Sequence, residues 1–185
     1  GQITALGHIK AMQTTRPNRF EYEIESDILH EFNRHCARFP SYNSIVAGGS
    51  SACILHYTEN DRPLNDGDLV LIDAGCEFAM YAGDITRTFP VNGKFSQTQR
   101  EIYELVLKAQ KRAIELLVPG NSIKQANDEV IRIKTQGLVD LGILKGDVDT
   151  LIEQQAYQQF YMHGLGHWLG LDVHDVGSYG QDKQR

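Results

Sequence analysis

Three of the seven histidines in this 185-residue chain fall in one stretch, "HGLGHWLGLDVHD": His163, His167 and His174. A second stretch, "LVLIDAGCEFAMYAGDITRTF", sets Asp73 at the end of an apolar run and Asp84 eleven positions further on. A hairpin with its turn near the middle brings those two carboxylates side by side. Adjacent carboxylates on a sheet repel, so one takes a proton or a cation sits between them. Hard divalent ions suit carboxylate oxygens, and imidazole suits several transition metals. The bland readings stand beside this one: Asp next to Ala-Gly is a common turn residue, and a single His is more often a ring bonded to backbone. Three histidines within thirteen residues, in a chain with an Asp pair, weigh toward a site. Asp175 adjoins His174 and could orient its ring. His56, in "ILHYTEN", stands alone and taken by itself reads as structural.

Other chemistries find little support. A zinc-protease helix needs a Glu directly after the first His; here Gly164 follows, and Gly166 further weakens a helix. Ser44, Ser50 and Ser51 fit no G-x-S-x-G elbow, and "GGSS" lacks the lysine of a phosphate loop. Cys36, Cys53 and Cys76 are odd in number and far apart, which argues against a disulfide framework or thiolate zinc site and for a reducing, cytoplasmic setting. The net charge of −6 argues against nucleic acid or an anionic membrane as partner. No apolar run reaches the roughly 20 residues that span a bilayer. The opening "GQITALGHIK" shows no signal-peptide pattern and no initiator Met.

The elements that must position these residues follow from periodicity. Residues 3–14 fit a short helix. Phe20, Ile24, Ile28, Leu29, Phe32 and Cys36 share one helical face, with Asn18 as its expected cap. Residues 41–66 read as short strands and turns. "LVLIDAG" is a buried strand; after a turn expected near Cys76–Glu77, "MYAGDITRTFPV" is its return, with Asp84, Thr86 and Thr88 on one face. Residues 97–117 form a helix whose stripe Leu105, Val106, Ala109 and Ala113 is expected in the core. Ser122 opens another helix to about Leu141, and 147–158 is helical. The stretch from Phe160 onward is glycine-rich and strand-like in pieces. Helices, then strands, then helices make an α+β domain.

"LHYTEND", "GDLVLIDAGCEFAMYAGDITRTFPVNGKF" and "MHGLGHWLGLDVHDVG" together resemble the catalytic domain of the bacterial-type Xaa-Pro aminopeptidase (aminopeptidase P) family. That family shares the pita-bread (creatinase/aminopeptidase) fold with prolidase and methionine aminopeptidase. The resemblance spans nearly the whole chain. It implies a curved antiparallel sheet flanked by helices, in two α+β halves: the first at about residues 1–95, the start of the second at about 96–185. It implies a centre of two divalent metal ions, usually manganese, held by two Asp, one His and two Glu. Carried over by position, Asp73, Asp84 and His167 are the metal ligands, with Asp84 bridging. His56, His163 and His174 line the substrate site, and His163 and His174 contact the scissile amide. The implied substrates are peptides with proline at the second position, and the complete enzyme is expected to be a cytoplasmic homo-oligomer.

After His167 the sequence holds no glutamate. The resemblance therefore implies a truncated, partial catalytic domain, with two Glu ligands past Arg185, an N-terminal domain before Gly1, and no activity for this stretch alone. Prolidase, which takes only dipeptides, is the near alternative. A non-catalytic pita-bread module that binds peptides or proteins is the more distant one.

Overall fold

The computed structural model describes residues 1–177. They divide into two units: the first comprises Gly1–Ser96 with Trp168–Gly177, and the second runs over Gln97–His167. No helix among the described residues is long and apolar enough to cross a membrane.

The first unit opens with α1 (Gln2–Thr14) and α2 (Glu21–Arg34). The expected face of α2 is buried at Ile24, Ile28 and Phe32, whereas Cys36 lies beyond the helix, exposed. Asn18 is not the cap. It takes a left-handed backbone (φ 71°) and its N–H goes to the Leu64 carbonyl at 2.8 Å. Phe20 is the capping position instead, and its N–H donates to the Glu23 carboxylate at 2.7 Å. An acidic side chain in the first turn thus fills the helix's open donors.

Six short strands follow: β1 (Phe39–Pro40), β2 (Ile45–Gly48), β3 (Leu69–Ala74), β4 (Cys76–Phe78), β5 (Tyr81–Ala82) and β6 (Ile85–Pro90). They make two three-stranded sheets, ordered β1-β4-β5 and β2-β3-β6, with every pairing antiparallel. In the second sheet Asp73 lies opposite Ile45 on one side and Thr86 on the other. Side chains alternate across it. Val46, Val70, Ile72 and Ala74 face one way and join Ile24, Ile28 and Phe32 in the main core. Ile45, Ala47 and Leu71 face the other way and pack with Tyr57. Asp73 stands on that second face, at its edge.

The expected turn at Cys76–Glu77 is displaced. Those residues are strand, and the reversal falls at Ala79–Met80, both with positive φ (52° and 70°). Two-residue hairpins prefer Asn-Gly or Asp-Gly at that conformation, so Ala-Met carried no turn signal. Between Asp73 and Asp84 the chain is pinched at two glycines. A Cβ at Gly75 would run into the Gly83 carbonyl, and one at Gly83 would meet the Thr4 hydroxyl.

A buried carboxylate anchors the loops around this sheet. Glu21, fully buried, accepts from the Gly48 N–H (2.8 Å), the Tyr57 hydroxyl (2.7 Å) and the Arg62 N–H (3.0 Å). Asn60, also buried, accepts from the Val46 N–H and donates to the Ser44 carbonyl, both at 2.9 Å. Together they fasten residues 57–62 to α2 and β2.

The second unit holds α3 (Gln97–Leu116), α4 (Ile123–Asp140) and α5 (Val148–Glu153), followed by a 3₁₀ turn at Ala156–Gln159. Ser122 caps α4 as expected, accepting from the Gln125 N–H at 3.1 Å while Gln125 reaches back to the Ser122 N–H at 2.9 Å. The helix expected over 147–158 is interrupted at Gln155, whose φ is 55°. The α3 stripe is only partly core: Ala109 and Ala113 are buried with Val130 of α4, but Val106 is 49% exposed. The spacing is helical, and Leu105 packs over Gly137 of α4, but Val106 turns toward solvent. Residues 161–177 form neither helix nor strand, against the expected strand-like pieces. The Ala82 N–H donates to the Gly170 carbonyl at 2.8 Å, which ties this segment to β5 without a strand ladder among the described residues.

Two measurements check this frame. Tyr57→Phe removes one of the three donors to buried Glu21 and should lower unfolding free energy by about 2 kcal/mol in chemical denaturation, as for hydrogen bonds to charged groups. An unchanged midpoint would show that Glu21 does not anchor the loop. Gly75→Ala forces β3 and Gly83 apart and should cost about 1–3 kcal/mol by overpacking; a melting curve equal to the parent's would disprove the close approach.

Candidate metal centre

The centre is organised by a residue that the sequence did not single out. The hydroxyl of Tyr42 lies 2.6 Å from Asp73 Oδ1 and 2.9 Å from Asp84 Oδ1. Asp73 comes from the end of β3, and Asp84 from the link between β5 and β6. Asp73 is opposite Thr86, so Asp84, two residues before Thr86, follows on the same face. The expected hairpin thus brings the carboxylates together despite its displaced turn. Tyr42 is half-buried. Burial, with the Asp73 carboxylate beside it, pushes its hydroxyl well above the ordinary tyrosine range, so it stays protonated and acts as a donor.

Behind this face the support is polar and tight. His8 of α1 is buried and donates from Nε2 to the Ala74 carbonyl at 3.1 Å. Burial pushes its pKa down, which keeps the ring neutral. Thr4 accepts from the Cys76 N–H at 3.3 Å. Helix α1 therefore grips the chain immediately after Asp73.

Two of the expected histidines join the carboxylates. Tyr42, Asn43, Ile45, His56, Thr58, Asp73, Asp84, Val173 and His174 line one cavity of about 330 Å³. His56 adopts a left-handed backbone (φ 53°), uncommon for a non-glycine residue and worth a functional look. Its neighbour Tyr57 is buried on Glu21, so the loop is held while the His56 ring is left exposed. His174 reaches the cavity from residues 168–177, which belong to the same unit.

His163 and His167 lie in the second unit, and both are exposed. Among the described residues, no group of three or more His, Cys, Asp or Glu side chains is gathered as a metal cluster. What the first unit does assemble is a carboxylate pair meeting one hydroxyl, with two imidazoles in the same cavity. Tyr42 has a single proton for two carboxylates. That donor set fits a hard divalent cation, which would neutralise the pair and accept oxygen from both.

Comparison with known proteins agrees with this chemistry. The model of metallopeptidase family M24 matches residues 1–185. The Xaa-Pro aminopeptidase of Haemophilus influenzae is 98% identical over the whole of this chain, which spans 43% of that relative's length. The Xaa-Pro aminopeptidase of Escherichia coli is 64% identical, and the chain spans 42% of it. Among solved structures, an alanine variant of E. coli aminopeptidase P in complex with substrate superposes with a TM-score of 0.97 at 64% identity, over 100% of this chain and 42% of that one. Zn-substituted E. coli aminopeptidase P in complex with product gives the same values. With a family match over its full length, the chain belongs to metallopeptidase family M24, whose aminopeptidase P members share its pita-bread fold.

Proposed function

We propose that the natural polypeptide carrying this sequence is a metal-dependent aminopeptidase that releases an N-terminal residue preceding proline. The observation that carries this is the pair Asp73 and Asp84 meeting on the Tyr42 hydroxyl in a cavity that His56 and His174 also line. Two relatives of high identity bear the name Xaa-Pro aminopeptidase, which supports the choice of bond.

Asp73 and Asp84 would hold divalent metal, and the family resemblance adds His167 as an imidazole ligand. Manganese is the ion proposed, since the donors are mostly oxygen. Bound there, the metal supplies Lewis acidity and a water acidic enough to attack near neutral pH. The chain's own residues do the rest. His56, His163 and His174 would line the substrate site, and His163 and His174 would offer ring N–H groups to the substrate carbonyl and to the oxyanion that develops on it. A histidine of this set passes a proton toward the leaving imino nitrogen, which must be protonated as the C–N bond breaks. The scissile Xaa-Pro bond has no N–H, so recognition cannot use that donor and depends on the shape of the cavity wall, to which Ile45 and Val173 contribute apolar surface. The three free cysteines fit a reducing compartment, and a cytoplasmic setting is part of the proposal.

Chelation of divalent ions should abolish release of the first residue from an Xaa-Pro tripeptide, and added manganese should restore it. Activity that survives exhaustive chelation would overturn the metal reading. Asp84→Asn should lower kcat/KM by more than about a hundredfold, because losing a group that only supports a ligand already costs about 10- to 100-fold. Assaying an Xaa-Pro dipeptide beside the tripeptide tests the bond assignment. Turnover of the dipeptide alone would make the enzyme a prolidase instead.

A further inference from the structure

We propose that Tyr42 is a positioning residue of this centre: its one hydroxyl sets the spacing of Asp73 and Asp84, and so how tightly the pair holds a divalent cation. The inference rests on reading those two aspartates as metal ligands.

The first support is that Tyr42 is held by the same strands that carry the carboxylates. On its N-terminal side, Pro40 of β1 is paired with Cys76 of β4. The Ser41 N–H donates to the Gly75 carbonyl at 2.9 Å, two residues past Asp73. The Ser41 hydroxyl accepts from the Gly83 N–H at 3.0 Å, one residue before Asp84. On its C-terminal side, Ile45 of β2 is in register with Asp73 itself. The backbone around Tyr42 is therefore pinned to both aspartate-bearing segments within two or three residues. The phenol ring has two side-chain torsions, and its half-burial against the cavity limits them. A hydroxyl so mounted is a fixed point against which two short side chains are set.

The second support is the sharing of one hydroxyl. The hydroxyl lies within reach of both carboxylates, 2.6 Å from Asp73 and 2.9 Å from Asp84, so a shift of either side chain changes its hydrogen bond. A divalent cation bound by the pair would meet carboxylates whose spacing this hydroxyl already sets. Groups that hydrogen-bond a metal's ligands in this way orient them and tune their affinity.

Two other roles predict different outcomes. If Tyr42 only fills the cavity wall, removing its oxygen leaves metal affinity alone. If it competes with the cation for the carboxylates, removing it strengthens binding. The decisive comparison titrates Mn²⁺ calorimetrically into the metal-stripped natural polypeptide and its Tyr42→Phe variant, which keeps the ring. A thermal melt of each confirms the fold. The expected result is the same stoichiometry with affinity lowered about 10- to 100-fold. At saturating Mn²⁺, KM for an Xaa-Pro tripeptide should stay near that of the parent and much of kcat should return, because Tyr42 acts through the carboxylates and not on the peptide. Equal or tighter Mn²⁺ binding by Tyr42→Phe would overturn this inference alone. A raised KM that excess Mn²⁺ does not correct would also overturn it, by placing Tyr42 on the substrate. Absence of Mn²⁺ binding by the unsubstituted polypeptide would overturn both this inference and the metal reading beneath it.

Discussion

Two carboxylates repel each other, and a fold that keeps them adjacent must overcome that repulsion before any ligand arrives. In this chain Asp73 and Asp84 meet at the Tyr42 hydroxyl, and the surrounding architecture serves to keep them there. Neither aspartate is on a free loop. Asp73 ends β3, which is hydrogen-bonded on both sides, and Asp84 is drawn in by the close passage of Gly75 and Gly83. Glycine is required at that crossing because a methyl group on either residue would occupy space already taken. The repulsion is thus met by covalent connectivity and main-chain pairing, which do not yield as side-chain rotamers would.

The sheet that bears Asp73 divides two environments. One face is apolar and sealed by α1 and α2; the other carries the site. Alternation along β3 does this with five residues: Val70, Ile72 and Ala74 face the helices, while Leu71 and Asp73 face the cavity side. A one-residue slip would bury Asp73 against Ile24 and Phe32, so the core enforces the register that the chemistry needs. His8 and Thr4 add polar clamps from behind, at the residues just after Asp73.

Much of this could be read from the chain. The helical face Ile24, Ile28 and Phe32 and the apolar run of β3 carry strong periodic signals, because burial imposes them directly. Asp73, Asp84, His56 and His174 could be picked out from their motifs, and the four line one cavity. Tyr42 could not. It lies more than thirty residues from Asp73, in a stretch of short apolar pieces and turns, and only strand pairing brings it to the site. Glu21 was equally hidden: an acidic residue in the first turn of a helix looks solvated, yet it is fully buried. The Ala79–Met80 turn escaped because neither residue favours the conformation it adopts. In α3 the period was right, but periodicity states which residues share a face and not what covers it; Val106 shares the face of Ala109 and remains half-exposed.

Glu21 and the aspartate pair show two solutions to one problem in electrostatics. Glu21 is completely removed from water and is surrounded by three donors from β2, the residue-57 loop and Arg62. Those hydrogen bonds inside the fold replace the water that the buried side chain has lost. Asp73 and Asp84 bring two charges to one phenolic proton, in a cavity open enough to admit a ligand. The first arrangement is closed and makes a loop rigid. The second gathers two carboxylates on a shared hydroxyl, at a point where two chain segments are tightly constrained. Paired carboxylate oxygens of this kind suit the hard divalent cation proposed above. The rigidity that Glu21 gives the residue-57 loop then has a use, because that loop presents His56 to the same cavity.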